Sequence, residues 1–200
     1  MSSRTPTRSG GSGSSSPAAV VARSARADEV VVAARRLLEE EGAGALTMRR
    51  LAERLGIKAP SLYKHLPDKT ALEAAIIATG LEEAAARFEQ AVDSATTGVD
   101  AAGDGAAISA LAAAYREFAL AHPHLYRLMH NGPLPRRHLP AGVEDRAAAS
   151  VVRVAGSRPR ARALWAFAHG MVMLELDQRF PPDADLDAAW EAGVTAFQTG

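Results

Sequence analysis

The 200 residues contain no cysteine. That absence excludes disulfides, zinc sites built on thiolates and cysteine nucleophiles. Lysine is scarce too: Lys58, Lys64 and Lys69 are the only lysines among 23 basic residues. No apolar run approaches the roughly 18 residues that a membrane span needs. The opening stretch MSSRTPTRSGGSGSSSP offers serine and glycine where a signal peptide needs an apolar segment. A cytoplasmic protein without membrane contact is therefore expected. No run alternates apolar and polar residues with period two, so no strand is expected either. Phosphate-cradling glycine loops, serine elbows and the H-E-x-x-H pattern are all missing. Among the six histidines, His122 and His124 flank Pro123, which breaks a helical ligand pair. No metal or cofactor is expected, and a helical metal-dependent enzyme is the weakest of the competing functions.

What the chain does have is alanine, leucine and a split charge. Hydrophobic residues make up 48%, enough for a globular core, and the alanine content favours helix. The formal net charge of +0 conceals an asymmetry: residues 1–69 carry twelve basic and seven acidic side chains, residues 70–200 eleven and sixteen. Between positions 49 and 69, Arg49, Arg50, Arg54, Lys58, Lys64 and Lys69 face only Glu53 and Asp68. A local positive patch on a neutral protein is the footprint of a nucleic-acid-binding module.

Residues 1–24 read as a disordered basic tail, rich in Ser, Gly and Pro, with Arg4 and Arg8 as candidate minor-groove or phosphate contacts. Helical periodicity then predicts a first helix over 26–41, ended by Gly42. Thr47 is an N-cap for a second over 47–55, with Gly56 at the turn. A third covers 59–66 with Pro60 in its first turn, and a long fourth covers 68–92. After a loop at 94–105, Ile108, Leu111, Tyr115 and Phe118 form a helical stripe, and Leu125, Leu128 and Met129 mark a short helix. Further helices are predicted over 143–155, 160–180 and 185–199. The fold class is all-α, with about nine helices.

The segment LTMRRLAERLGIKAPSLYKHLPDKTAL, residues 46–72, has the physics of a helix-turn-helix. Small Ala52 permits a close helix crossing, Gly56 makes the turn, and Leu62 anchors the following helix against Leu51 and Leu55. Lys58, Ser61, Lys64 and His65 are then left facing outward, where a helix in the major groove meets base edges and phosphates. Residues 26–75 closely resemble the DNA-binding domain of TetR-type repressors, in which a threonine opens the second helix, a Leu-Gly pair closes it and an LYKHLPDK-like run follows. The resemblance implies a phosphate-binding cap at Thr47, with Arg49 alongside. It places Ala59, Pro60 and Ser61 close to bases, and makes Tyr63, His65 and Lys69 phosphate contacts. The competing readings are helix packing for Tyr63 and packing or capping for His65. Ala59 and Pro60 offer only apolar contacts, so base choice is expected to lean on Lys58, Ser61 and Lys64.

A head over 25–70 is small and needs the body over 71–200, expected to bind ligand and dimerise. The segment LWAFAHGMVMLEL, residues 164–176, resembles one TetR C-terminal subgroup, the WHG type, with Ala168 where that subgroup often has tryptophan. The resemblance implies a homodimer through the last two helices. Leu164, Phe167, Met171, Leu174, Trp190, Gly193 and Phe197 are the interface candidates. Tyr115, Phe118, Tyr126, Met129, Trp165, His169 and Met173 are candidates for an effector pocket, since they combine aromatic bulk, adaptable sulfur and polar handles. The competing reading of each is ordinary core packing. The function expected is a dimeric repressor of near-palindromic double-stranded operator DNA, released by a small-molecule effector of unknown identity. The alternative is a DNA-binding regulator without an effector, constitutive or activating.

Overall fold

The computed structural model describes residues 24–97 and 104–198. The basic tail with Arg4 and Arg8 lies outside the described residues, apart from Ser24. Among the described residues there are nine α-helices and no strand. They are α1 (Ala25–Glu41), α2 (Met48–Leu55), α3 (Ala59–Tyr63), α4 (Lys69–Thr96), α5 (Asp104–Ala121), α6 (Pro123–His130), α7 (Val143–Ala155), α8 (Arg158–Leu176) and α9 (Leu186–Ala196). Single 3₁₀ turns lie at Ala43–Ala45 and Arg136–His138. None of these helices is long and apolar enough to cross a membrane.

Local chemistry explains most ends. Ser24, Thr47, Asp68, Ser157 and Asp185 each accept a backbone N–H of the first turn. Gly56 closes α2 at φ +64°, and its N–H reaches back to the last-turn carbonyls. A Cβ there would meet nothing within 4 Å, so the requirement is for left-handed backbone rather than for space.

Several helix ends differ from the periodic reading. α3 stops at Tyr63 instead of 66, because the residue before Pro67 is pushed out of the helical region and residues 64–66 form a turn. α4 runs on to Thr96, where the Thr96 hydroxyl donates to the Val92 carbonyl. α8 begins at Arg158 and ends at Leu176: Pro159 fits its first turn, and Gln178 at φ +52° reverses the chain before Pro181 and Pro182.

One continuous apolar core joins both halves of the chain. α4 packs on α1 at one end and on α5, α6 and α7 along the rest. Leu37, Leu38, Leu51, Leu62 and Leu72 bring α1–α3 onto the start of α4, and Ile108, Leu111, Phe118, Leu125 and Val172 extend the same cluster through the body. Truncating a side chain such as the fully buried Leu62 to alanine would cost about 2–5 kcal/mol. Behind α5, α8 and α9 cross with Phe167 lying over Gly193: a Cβ at 193 would stand 2.0 Å from the Phe167 ring.

Gly193→Ala is therefore expected to lower stability by about 1–3 kcal/mol. Combining it with Phe167→Leu should recover part of that loss in a double-mutant cycle of urea unfolding at one fixed protein concentration. Strictly additive effects would show that the ring and the glycine are not in contact.

Candidate nucleic-acid interface and effector cavity

At the N-terminal end, α2 and α3 form the two arms of a helix-turn-helix. Leu51, Ala52 and Leu62 are buried at their crossing, with Leu55, Ile57 and Ala59 partly buried around it. That packing leaves Lys58, Pro60, Tyr63, Lys64 and His65 exposed and Ser61 half-buried. Tyr63 keeps 49% of its surface open, more than a side chain packed between helices would show. The Thr47 hydroxyl accepts from the Arg50 N–H at 3.1 Å, which leaves its own proton free to donate outward.

The six cations of this segment are not equivalent. Arg50 binds Glu41 (2.8 Å), and Arg54 reaches both Glu40 and Glu41, so these two arginines tie α2 to the last turn of α1. Arg50 also holds the Glu41 carboxyl below its usual range. Arg49 pairs with Glu53 at 3.0 Å and Lys69 with Glu73 at 3.4 Å. Lys58 and Lys64 have no acidic partner among the described residues, and both flank α3. Within residues 49–69 the unpaired positive charge thus lies at the two ends of the short third helix.

In the body, α4 to α8 enclose a cavity of about 650 Å³. Tyr115, Phe118, Tyr126, Met129, Trp165 and His169 all line it; Met173 does not, and packs against the core instead. Phe88 and His130 also line it, and neither was singled out as a pocket residue from sequence. The sequence signal for His130 is the four-residue spacing from Tyr126, which stacks the two rings at 4.2 Å.

The polar groups of the cavity form a chain. The Tyr115 and Tyr126 hydroxyls are 2.7 Å apart, and the Tyr126 hydroxyl lies 2.7 Å from His169 Nδ1. Only one direction uses both hydroxyl protons: Tyr115 donates to Tyr126, and Tyr126 donates to Nδ1. His169 then carries its proton on Nε2. His130 Nδ1 donates to the Tyr126 carbonyl at 2.8 Å, which leaves Nε2 of the neutral ring as an acceptor. Burial drives the His130 pKa down to about 4 and lowers that of His169, while it pushes Tyr115 up to about 12. The interior therefore carries no charge at neutral pH. Tyr126, His130, His169 and Trp165 form a column of stacked and tilted rings, each contacting pair within about 35° of parallel.

Between cavity and head stands a second polar cluster. Phe118, on the cavity wall, packs against His122 at 5.4 Å. His122 sits between Glu39 of α1 (3.7 Å) and Glu83 of α4 (3.4 Å), and Glu83 also binds Arg35 and Arg87. Glu39 Oε1 and His122 Nε2 are buried without a hydrogen-bond partner. Among the described residues no group of three or more His, Asp or Glu side chains is placed to hold a metal ion.

The C-terminal helices correct part of the sequence expectation. Leu164 and Trp190 are buried in their own chain, and Trp190 donates its indole N–H to Glu175. Phe167 packs on Trp190, Phe197 and Gly193. These residues join α8 to α9 within one subunit. Of the seven interface candidates, Leu174 alone is exposed, on the face that also carries Ala163, Ala166 and Gly170.

Comparison with known proteins agrees with this architecture. Residues 30–76 match the family model for bacterial regulatory proteins of the tetR family, and residues 108–197 match the tetracyclin repressor-like C-terminal domain. The uncharacterized HTH-type transcriptional regulator Rv0681 of Mycobacterium tuberculosis is 30% identical over 169 residues, which are 80% of this chain and 74% of that protein. The uncharacterized HTH-type regulator YobS of Bacillus subtilis is 34% identical over 86 residues, 43% of this chain and about two fifths (41%) of its own length. A solved protein of unknown function from Rhodococcus sp. RHA1 superposes with a TM-score of 0.68 at 26% identity, covering 89% of this chain and 96% of its own. A TetR variant from Acinetobacter baumannii, solved in complex with minocycline, has the same fold: TM-score 0.60, 24% identity, 85% and 92% coverage. The chain belongs to the TetR family of transcriptional regulators, and its N-terminal helices are a DNA-binding helix-turn-helix.

The buried neutral imidazole gives a pH dependence of known sign. Above the ordinary value of 6.5, His130 is neutral both folded and unfolded and contributes no slope. Below it the unfolded chain takes up the proton first, so stability falls as the pH drops from 6.5 towards 4, by up to roughly 3 kcal/mol. Urea unfolding between pH 4 and 7.5 should show a steeper acid loss for the native protein than for His130→Asn. Parallel curves would mean that His130 is not buried as described.

Proposed function

We propose that the protein is a dimeric repressor that binds near-palindromic operator DNA in the cytoplasm and is released by a small molecule held in the body. The observation that carries this reading is the division of charge: two unpaired lysines on the exposed helix at one end, and an uncharged, aromatic cavity at the other. In this reading the head is residues 25–70, the body is 71–200, and α3 enters the major groove. Lys58, Ser61 and Lys64 choose bases, while Ala59 and Pro60 make apolar contacts. Thr47, Arg49, Tyr63, His65 and Lys69 hold phosphates. One head reads too few bases, so two are presented by a symmetric pair of chains about 34–36 Å apart. The α8 ridge of Ala163, Ala166, Gly170 and Leu174, with Met171 beside it, is the proposed partner face. A Cβ added at Gly170 would meet nothing within 4 Å in its own chain, which leaves room for a second helix. The complex of the Acinetobacter relative with minocycline supports a small-molecule effector, as does the closeness of Phe118 to the His122 cluster that bears on α1.

A lysine lying in the groove also neutralises flanking phosphate charge while it reads a base edge, so Lys58 and Lys64 each add about one unit to the salt dependence of binding. Lys58→Gln with Lys64→Gln should flatten the plot of log affinity against log salt by about two units per head, on an operator selected from a random DNA pool. Arg54→Gln should instead lower stability and leave the slope nearly unchanged. An unaltered slope in the double lysine variant would remove α3 from the groove. Leu174→Glu should convert the dimer to a monomer in sedimentation. A variant that stays dimeric would place the interface elsewhere.

A further inference from the structure

Resting on that effector reading, the geometry points to the chemical class of the effector: a planar aromatic carboxylate, with its rings on the open Trp165 end of the ring column formed with Tyr126, His130 and His169 and its acid group at the rim beside Arg158 and Arg162. Three observations lead there. The first is the column of rings itself. Neighbouring rings 4.2–6.3 Å apart, with planes about 30° from parallel, lie stacked on one another, so the faces within the column are already covered. Trp165, at the outer end, is 48% exposed, which leaves an open aromatic face that a fused aromatic system covers and a puckered aliphatic one does not.

The second is the absence of charge inside. The deep polar atoms are two hydroxyls and two neutral imidazoles, and a charge buried among them would have no counter-ion. Electron-rich rings can also hold cations, so the sign of the rim charge decides between the two classes.

The third is that rim. Five charged side chains line the mouth: Arg136, Glu144, Asp145, Arg158 and Arg162. Arg136 and Glu144 pair with each other at 3.2 Å. Arg158 and Arg162 lie one turn apart on α8, both exposed, with no acidic partner among the described residues. They stand against Asp145 alone, and the positive end of the α8 dipole lies at the same place. An anionic group at the mouth therefore completes the charge pairing, and an ammonium there would meet two guanidinium groups.

The test uses the full-length protein and defined probes in calorimetric titrations: 2-naphthoate, 2-naphthylmethylammonium, 2-naphthol and cyclohexanecarboxylate. Naphthoate is expected to bind at least about tenfold more tightly than the ammonium analogue and than the saturated acid. Arg158→Gln with Arg162→Gln should weaken naphthoate about tenfold and leave 2-naphthol within about twofold, which also reports that the cavity is intact. Equal or tighter binding of the ammonium compound, an unaffected double variant, or no binding of any ring probe at millimolar concentration would overturn the proposal. Operator release separates the two readings. If naphthoate binds with the expected preference and the DNA stays bound, the cavity class stands and the effector role fails. If charge preference is absent and release still occurs, the effector role stands and the class fails.

Discussion

Helix α4 is covered by different neighbours at its two ends, and both halves of the molecule need it. Near its start, Leu72, Ala75 and Ile76 complete a core that α1–α3 are too small to make alone. Further along, Ala84, Phe88 and Val92 belong to the core of the body, and Ala84 and Phe88 also face the cavity. A close-packed interior resists small continuous deformation. A change of position at Phe88 is therefore passed along a rigid helix rather than absorbed. The head has no independent seat, and its orientation follows that of α4.

Charge placement in the head obeys the same economy. Three glutamates end α1, and arginines on the facing side of α2 pair with two of them, Glu40 and Glu41. Exposed pairs of this kind contribute little stability each, about 0–1 kcal/mol. Their larger effect is on the electrostatic map. Together with the Arg49–Glu53 and Lys69–Glu73 pairs, they leave Lys58 and Lys64 as the cations without an acidic partner between residues 49 and 69. A sequence count of six cations overstates the unpaired charge of this segment, since four of those six have carboxylate partners. Charge patterning along a chain cannot show which cations are answered across a helix–helix contact.

The same limit separates what could be read in the sequence from what could not. Helices with strong caps were legible: Gly42, Thr47 and Gly56 mark boundaries through local backbone chemistry alone. The helix-turn-helix was legible for the same reason, because its turn and its inward leucines lie within about twenty residues. The cavity was legible as a set of residue types, since large rings with polar ends must point at something. His130 was missed as a cavity residue because its role depends on α8, some forty residues away. The packing of the C-terminal helices was not legible, because an apolar stripe does not say whether it faces its own chain or another. Phe167 and Trp190 look the same in sequence in either case. Their contacts with each other and with Gly193 appear only in three dimensions.

The cluster around His122 is where cavity and head meet energetically. Leaving a buried polar atom unpaired costs about 1–3 kcal/mol, and two such atoms, Glu39 Oε1 and His122 Nε2, are held here between α1, α4 and the start of α6. That cost is similar in size to the 1–3 kcal/mol by which one site typically influences another. His122 stands 3.4 Å from Glu83 and 3.7 Å from Glu39, near the limit of hydrogen bonding to both. A shift of a few tenths of an ångström either way would complete one contact and lose the other. Phe118, shared between the cavity wall and the His122 ring, is the side chain placed to transmit such a shift. The unsatisfied pair thus lies where α1, α4 and the start of α6 meet, next to the Phe118 ring that lines the cavity.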